Sequence, residues 1–366
     1  MEERWRAETE KLTTSWARYK PEMLGGYLVS GVEDPRINMQ SILTRDFLLE
    51  VLFGERFAGL KSEELRFAAV MNWLLNYLQT KPIAEEITAL LHALEKNAQN
   101  AEGVAIPFCV LKAFHELPRS ADGVSIPNYI REVLTAYLAG SECASAKNLF
   151  AERWAALLTN EHAATISVIE PACGSANDYR FLKSFGIARF LNYTGFDLLA
   201  KNIENARAMF PDDSFDVGNV LGIDAKAKCF DYCIVHDLFE HLSLAAMEQA
   251  IDEICRVTRS GICIGFFQMD EISNHVVRPV DDYHMNLLSV QKVQDEFESR
   301  GGKVEAIHIE TFLRIGLNCA DTHNLNAYTF YVWFDGRKRQ PRKLRGANRE
   351  KNEKSRIGGG AKVKGV

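Results

Sequence analysis

No apolar run in this 366-residue sequence approaches the roughly 18–20 residues that a membrane-spanning helix needs, and Met1 to Lys20 is charged and polar where a secretory signal would be hydrophobic. The expectation is a soluble, cytoplasmic protein. There is no CxxC pair among the eight cysteines, and Cys173, Cys229, Cys233, Cys255 and Cys263 fall in apolar segments. Neither a disulfide framework nor a zinc knuckle is indicated, and no metal is expected. Aromatic and basic residues are not interleaved as in an RNA-binding module.

The net charge of -6 conceals an uneven distribution. Gly336 to Val366 holds twelve Lys and Arg residues against only Glu350 and Glu353. With Gly358, Gly359 and Gly360 and almost no large apolar side chains, this tail cannot bury enough surface to offset its ordering entropy, so it is expected to be disordered. It reads first as a solvated tail and second as a contact for a polyanion, where clustered cations release counterions.

The first 160 residues read as helices. Ser62, Glu63 and Glu64 open one stripe (Phe67, Val70, Met71, Leu74), Pro82 a second (Ile87, Leu90, Leu91, Leu94) and Pro127 a third (Ile130, Val133, Leu134, Tyr137); a fourth runs from Asn148 to Leu158. From Ile166 the pattern changes to short apolar strands alternating with amphipathic helices. Strand candidates are Ile166–Glu170, Tyr193–Asp197, Ser214–Val217, Phe230–His236, Gly261–Phe267, Val304–Ile309 and Tyr328–Phe334. No helix of good periodicity separates the last two, which predicts an antiparallel seventh strand. The fold class is therefore α/β, a doubly wound, Rossmann-like sheet of seven mostly parallel strands with an all-helical N-terminal domain. The expected division is 1–145 helical, 146–335 α/β and 336–366 basic tail, with the boundary near Gly140 to Lys147.

Ligands in such folds bind outside the carboxyl ends of the strands. The first such end is Val168-Ile-Glu-Pro-Ala-Cys-Gly-Ser-Ala-Asn-Asp178, where small residues admit a ligand against the backbone and helix N-terminal amides favour an anion. Asp197 ends the second strand, as an acid that holds ribose hydroxyls does. Asn219 and Val220 follow the third, and His236 and Asp237 close the fourth. A nicotinamide site would want G-x-G-x-x-G where this sequence has Ala172, Gly174 and Asn177, and the spacing of His236 and His241 departs from the His-x-x-Glu-His zinc motif.

Taken together, these stretches resemble the class I S-adenosylmethionine-dependent methyltransferases over roughly Leu157 to Phe334. The resemblance implies S-adenosyl-L-methionine as cofactor, with Glu170, Ala172, Cys173, Gly174 and Ser175 around its methionine portion. It implies Asp197 on the ribose, Leu198 packed on the adenine, Asn219 and the Val220 amide reading the adenine edge, and His236 and Asp237 closing the site. Ala172 and Ala176 stand where glycines are commoner, which is tolerable if their backbone angles stay in the ordinary region. His236 is the first candidate for a general base and His241 the second. Tyr283 and His284, in the loop after the fifth strand, are the substrate candidates, and Phe312 to Asn326, with Arg314, His323 and Asn324, a further wall.

The working expectation is methyl transfer to an oxygen or nitrogen of a small molecule. The alternatives left open are an RNA or protein methyltransferase using the basic tail, and a catalytically silent cofactor-binding module. The N-terminal helices are read as a roof over the site or as the surface of a homodimer.

Overall fold

The computed structural model describes residues 5–7, 9–11, 13, 38–101, 103–116, 125–140, 149–280, 283–317 and 325–334. The basic tail, most of the expected boundary at 140–147, and Asp281, Asp282, His323 and Asn324 lie outside them. Met1–Gly336 form one compact unit.

Ahead of the sheet lie α1 (Asn38–Phe53), α2 (Ala58–Gln79), α3 (Ala84–Glu95), α4 (Phe108–Glu116), α5 (Ile126–Leu138) and α6 (Leu149–Leu158). The α/β part runs β1 (Ile166–Pro171), α7 (Asn177–Ser184), β2 (Leu191–Asp197), α8 (Ala200–Met209), β3 (Ser214–Val217), β4 (Phe230–His236), α9 (Leu244–Val257), β5 (Thr258–Phe266), α10 (Val290–Ser299), β6 (Lys303–His308), α11 (Ile309–Leu317) and β7 (Tyr328–Trp333). The strand order is β6-β7-β5-β4-β1-β2-β3. β7 is antiparallel to both β5 and β6, as expected, although the ground for expecting it fails. The expectation that no helix follows β6 is corrected: α11 occupies that place, burying Ile309 and Leu313.

Alternation along the strands divides the core in two. Tyr232, Ile234, Tyr331 and Trp333 join the helical residues on one face, while Cys233, Val235, Phe330 and Val332 pack with α9 and α10 on the other. The helical part thus shares a core with the sheet. Its keystone is α1, which the sequence reading did not single out. Phe47 stacks on Trp333 (centroids 4.8 Å apart) and meets Tyr232 and Tyr331, and the Tyr331 hydroxyl donates to the Leu43 carbonyl at 2.7 Å.

The turn from β1 to α7 carries three left-handed residues, Ala172 (φ 56°), Gly174 (φ 55°) and Ala176 (φ 65°). The ordinary backbone angles assumed for the two alanines are therefore not what the chain adopts. A left-handed L-residue carries roughly 1–2 kcal/mol of strain, part of which a glycine returns as greater freedom in the unfolded chain. Ala172→Gly is expected to raise the unfolding free energy by about 0.5–1 kcal/mol. Ala176→Gly also loses a fully buried methyl, worth about 0.8 kcal/mol, and should be close to neutral. Urea denaturation of the two variants checks the pair; a loss at both positions would show that the turn is not strained.

Candidate active site

The carboxyl ends of β1, β2, β3 and β4 open into one cavity of about 340 Å³. Its wall includes Ala172, Cys173 and Gly174 from the first turn, Asp197 and Leu198 from the second, Asn219, Val220 and Leu221 from the third, and His236, Asp237 and His241 from the fourth. This is the crevice expected from the doubly wound topology.

Asp197 is buried, and each carboxylate oxygen is engaged: Gly174 N donates to Oδ2 (3.0 Å), while Leu199 N (2.8 Å) and Asn202 Nδ2 (3.0 Å) donate to Oδ1. Burial raises its pKa and these donors oppose the rise. The acid thus ties the first and second loops together. Leu198, Val220 and Leu221 supply an apolar slot beside it.

Several expected contacts are placed differently. Glu170 is absent from the cavity wall; it lies beneath it, buried, accepting from the Tyr193 hydroxyl at 2.6 Å. Burial, with the Asp178 carboxylate nearby, raises its pKa well above the usual carboxyl value. Ser175 is also turned away, donating to Asn202 Oδ1 and accepting from Asn205 Nδ2, both at 3.3 Å. Asn219 Oδ1 accepts from Leu221 N (2.9 Å), closing its own loop, and Nδ2 donates to Thr9 Oγ1 (2.9 Å). Trp5, from the same N-terminal stretch, packs in the core that contains Phe196, Val220 and Leu221. Nothing in the composition of those first residues signalled that contact.

His236 is held by side chains at both nitrogens of its ring. Its Nδ1 lies 2.7 Å from Asp178 Oδ2 and its Nε2 2.8 Å from Thr44 Oγ1. Burial alone would lower its pKa, but the Asp178 carboxylate overrides burial and raises it well above the usual histidine value. Asp178, which burial would raise, is held below its ordinary value chiefly by His236. The shift favours the charged imidazole, and side chains engage both ring nitrogens. Gly265 makes room for it, since a Cβ there would meet His236 Cδ2 at 2.5 Å.

His241 has the opposite character. It ends the short turn Phe239–His241, and its Nδ1 donates to the His284 carbonyl at 3.0 Å. Burial lowers its pKa, opposed by that hydrogen bond. A neutral imidazole donating through Nδ1 carries its lone pair on Nε2. Tyr283 and His284 serve His241: the Tyr283 ring lies 5.9 Å from the His241 ring, and neither residue belongs to the cavity wall. Behind them Glu240 is fully buried and accepts from the Phe267 and Gln268 amides; burial and Asp237 push it up to about 8.

Residues 169–264 match the family model of the methyltransferase domain. The matched segment runs from β1 to β5, the part of the sheet that builds the crevice. No curated protein matches the chain. Among solved structures, the domain is similar to an S-adenosylmethionine-dependent methyltransferase from Methanosarcina mazei (10% identity, 48% of this chain and 96% of that one, TM-score 0.37). It is similar also to one from Mesorhizobium loti (11% identity, 50% and 97%, TM-score 0.36) and to a Pyrococcus horikoshii protein (17% identity, 61% and 98%, TM-score 0.35).

S-adenosyl-L-methionine is the cofactor that the sequence resemblance implies for this crevice. The crevice fits it chemically: an apolar slot for a flat base, a carboxylate for ribose hydroxyls, and a polar end for an amino acid. At that end stands Asn177, whose Oδ1 is buried with no hydrogen-bond partner among the described residues. No helix among the described residues is long and apolar enough to cross a membrane.

Proposed function

We propose that the chain transfers the S-methyl group of S-adenosylmethionine to an oxygen or nitrogen of a small molecule, with His241 taking the acceptor's proton. The observation that carries this reading is the single crevice in which the glycine turn, Asp197, the Asn219–Leu221 loop and a neutral His241 converge. When bound, the cofactor supplies an electrophilic methyl on a sulfonium, and the protein's part is alignment. Methyl transfer is an in-line displacement in which positioning supplies most of the acceleration. Asp197 and the first loop hold the adenosyl portion, Leu198 and Val220 exclude water from the base, and His241 Nε2 accepts a proton at the acceptor end.

Binding of S-adenosylhomocysteine by titration calorimetry, followed by a metabolite screen for the acceptor, tests this reading. Asp197→Ala is expected to weaken that ligand by about 10–150-fold, the worth of a hydrogen bond to a charged group. If the wild-type protein ignores the ligand at millimolar concentration, the reading falls.

A further inference from the structure

Three side chains on α1, outside the matched segment, reach the strand ends. Gln40 Nε2 donates to the Phe266 carbonyl (2.6 Å) and the Tyr328 carbonyl (3.3 Å). Ser41 Oγ donates to Asp178 Oδ1 (3.2 Å). Thr44 Oγ1 donates to the Gln40 carbonyl (3.2 Å). Its Oγ1 also lies 2.8 Å from His236 Nε2 and 3.5 Å from Cys263 Sγ; a hydroxyl has a single proton, so while that proton rests on the Gln40 carbonyl, Thr44 accepts from His236 Nε2–H. In that arrangement His236 donates from both nitrogens, to a carboxylate on one side and a hydroxyl oxygen on the other, which is the environment of an imidazolium.

The hydroxyl, imidazole and carboxylate line up as a hydrolytic triad does, but Thr44 is 1% exposed and out of a substrate's reach, so it is no nucleophile. What the arrangement presents to the cavity is a fixed dipole, the His236 cation beside the Asp178 carboxylate, next to the unpartnered Asn177 Oδ1. The other titratable groups around the His236 ring are Cys263 on β5, Asp237 next in the chain and Glu170 on β1.

We propose that Thr44 is a positioning residue: with Ser41 it locks the Asp178–His236 pair in its charged form, and that pair receives the zwitterionic amino-acid end of an S-adenosyl ligand. This rests on the reading of the crevice as the cofactor site. An ammonium finds the remaining lone pairs of Asp178 and the oxygen of Asn177, while the ligand's carboxylate meets the imidazolium and the amides that open α7.

The test compares wild type, Thr44→Val and Thr44→Ser, each checked for an unchanged unfolding transition. Cofactor-free protein is titrated by NMR of the His236 imidazole. Binding of S-adenosylhomocysteine and of 5′-methylthioadenosine, which lacks the amino-acid end, is measured by calorimetry. Thr44→Val is expected to lower the His236 pKa by about one unit or more and to weaken S-adenosylhomocysteine about tenfold, with 5′-methylthioadenosine unaffected and Thr44→Ser restoring both values. An unmoved His236 pKa, an unchanged S-adenosylhomocysteine affinity, or an equal loss of both ligands overturns the proposal. If wild type binds neither ligand, the cofactor reading itself fails and the proposal with it; if wild type binds both and Thr44→Val alters neither, only the proposal fails.

Discussion

Glu64→Leu is expected to destabilise the protein by about 3–5 kcal/mol, because it strands a guanidinium in the shared core. Arg45, on α1, is fully buried, and its Nη2 donates to Glu64 Oε1 on α2 at 2.6 Å. Its Nε and Nη1 have no hydrogen-bond partner among the described residues, and the guanidinium carbon lies 3.8 Å from the centroid of the Phe185 ring. Burial raises the Glu64 pKa more strongly than Arg45 lowers it, so desolvation outweighs the attraction within this pair. It follows that the double replacement Arg45→Leu with Glu64→Leu should recover most of what the single one loses. Urea unfolding of the three proteins measures this. A single-variant loss below about 1 kcal/mol would mean that Arg45 finds water or another acceptor.

The largest effect on chemistry is expected at His241. Once the acceptor is known, His241→Ala should lower kcat by about 10²–10⁴-fold, the usual contribution of a general base, while binding of S-adenosylhomocysteine is retained. The pH profile separates the two histidines. His241 has its pKa lowered below 6.5, so its lone pair is lost only as the pH falls beneath that value, and kcat should decline on the acid side there. His236 is raised well above 6.5, and a rate dependent on its neutral form would instead climb through the alkaline range. An alkaline-rising kcat, or full activity in His241→Ala, would remove His241 from the mechanism.

Much of the α/β part was legible. Its strands are short apolar runs ending in small or acidic residues, and β1, β3, β4 and β7 fall within a residue of their expected bounds. The missed helix, α1, has a physical cause. It is buried almost all round, between the sheet on one side and α2 on the other, so Ile42, Leu43, Phe47, Leu48 and Leu49 form no single stripe. In the site, the positions were legible and the directions were not. Glu170, Ser175 and His236 stand where strand ends put them, but whether each faces the ligand or the protein depends on Tyr193, Asn202 and Thr44, partners distant in sequence. His241 was ranked second because its distinguishing feature, a carbonyl at Nδ1, is a backbone atom of a loop that returns to it.

The long reach of α1 also governs how the native state is attained. Gln40 is separated by 226 and 288 residues from the carbonyls it binds, and Leu43 by 288 from the hydroxyl that caps it. Closing loops of that span precedes any reward from the contacts, and topologies rich in such pairings assemble slowly. During synthesis the face of α1 that packs on β7 therefore stays uncovered until the last strand has emerged. That interval is when the chain has most to gain from a chaperone.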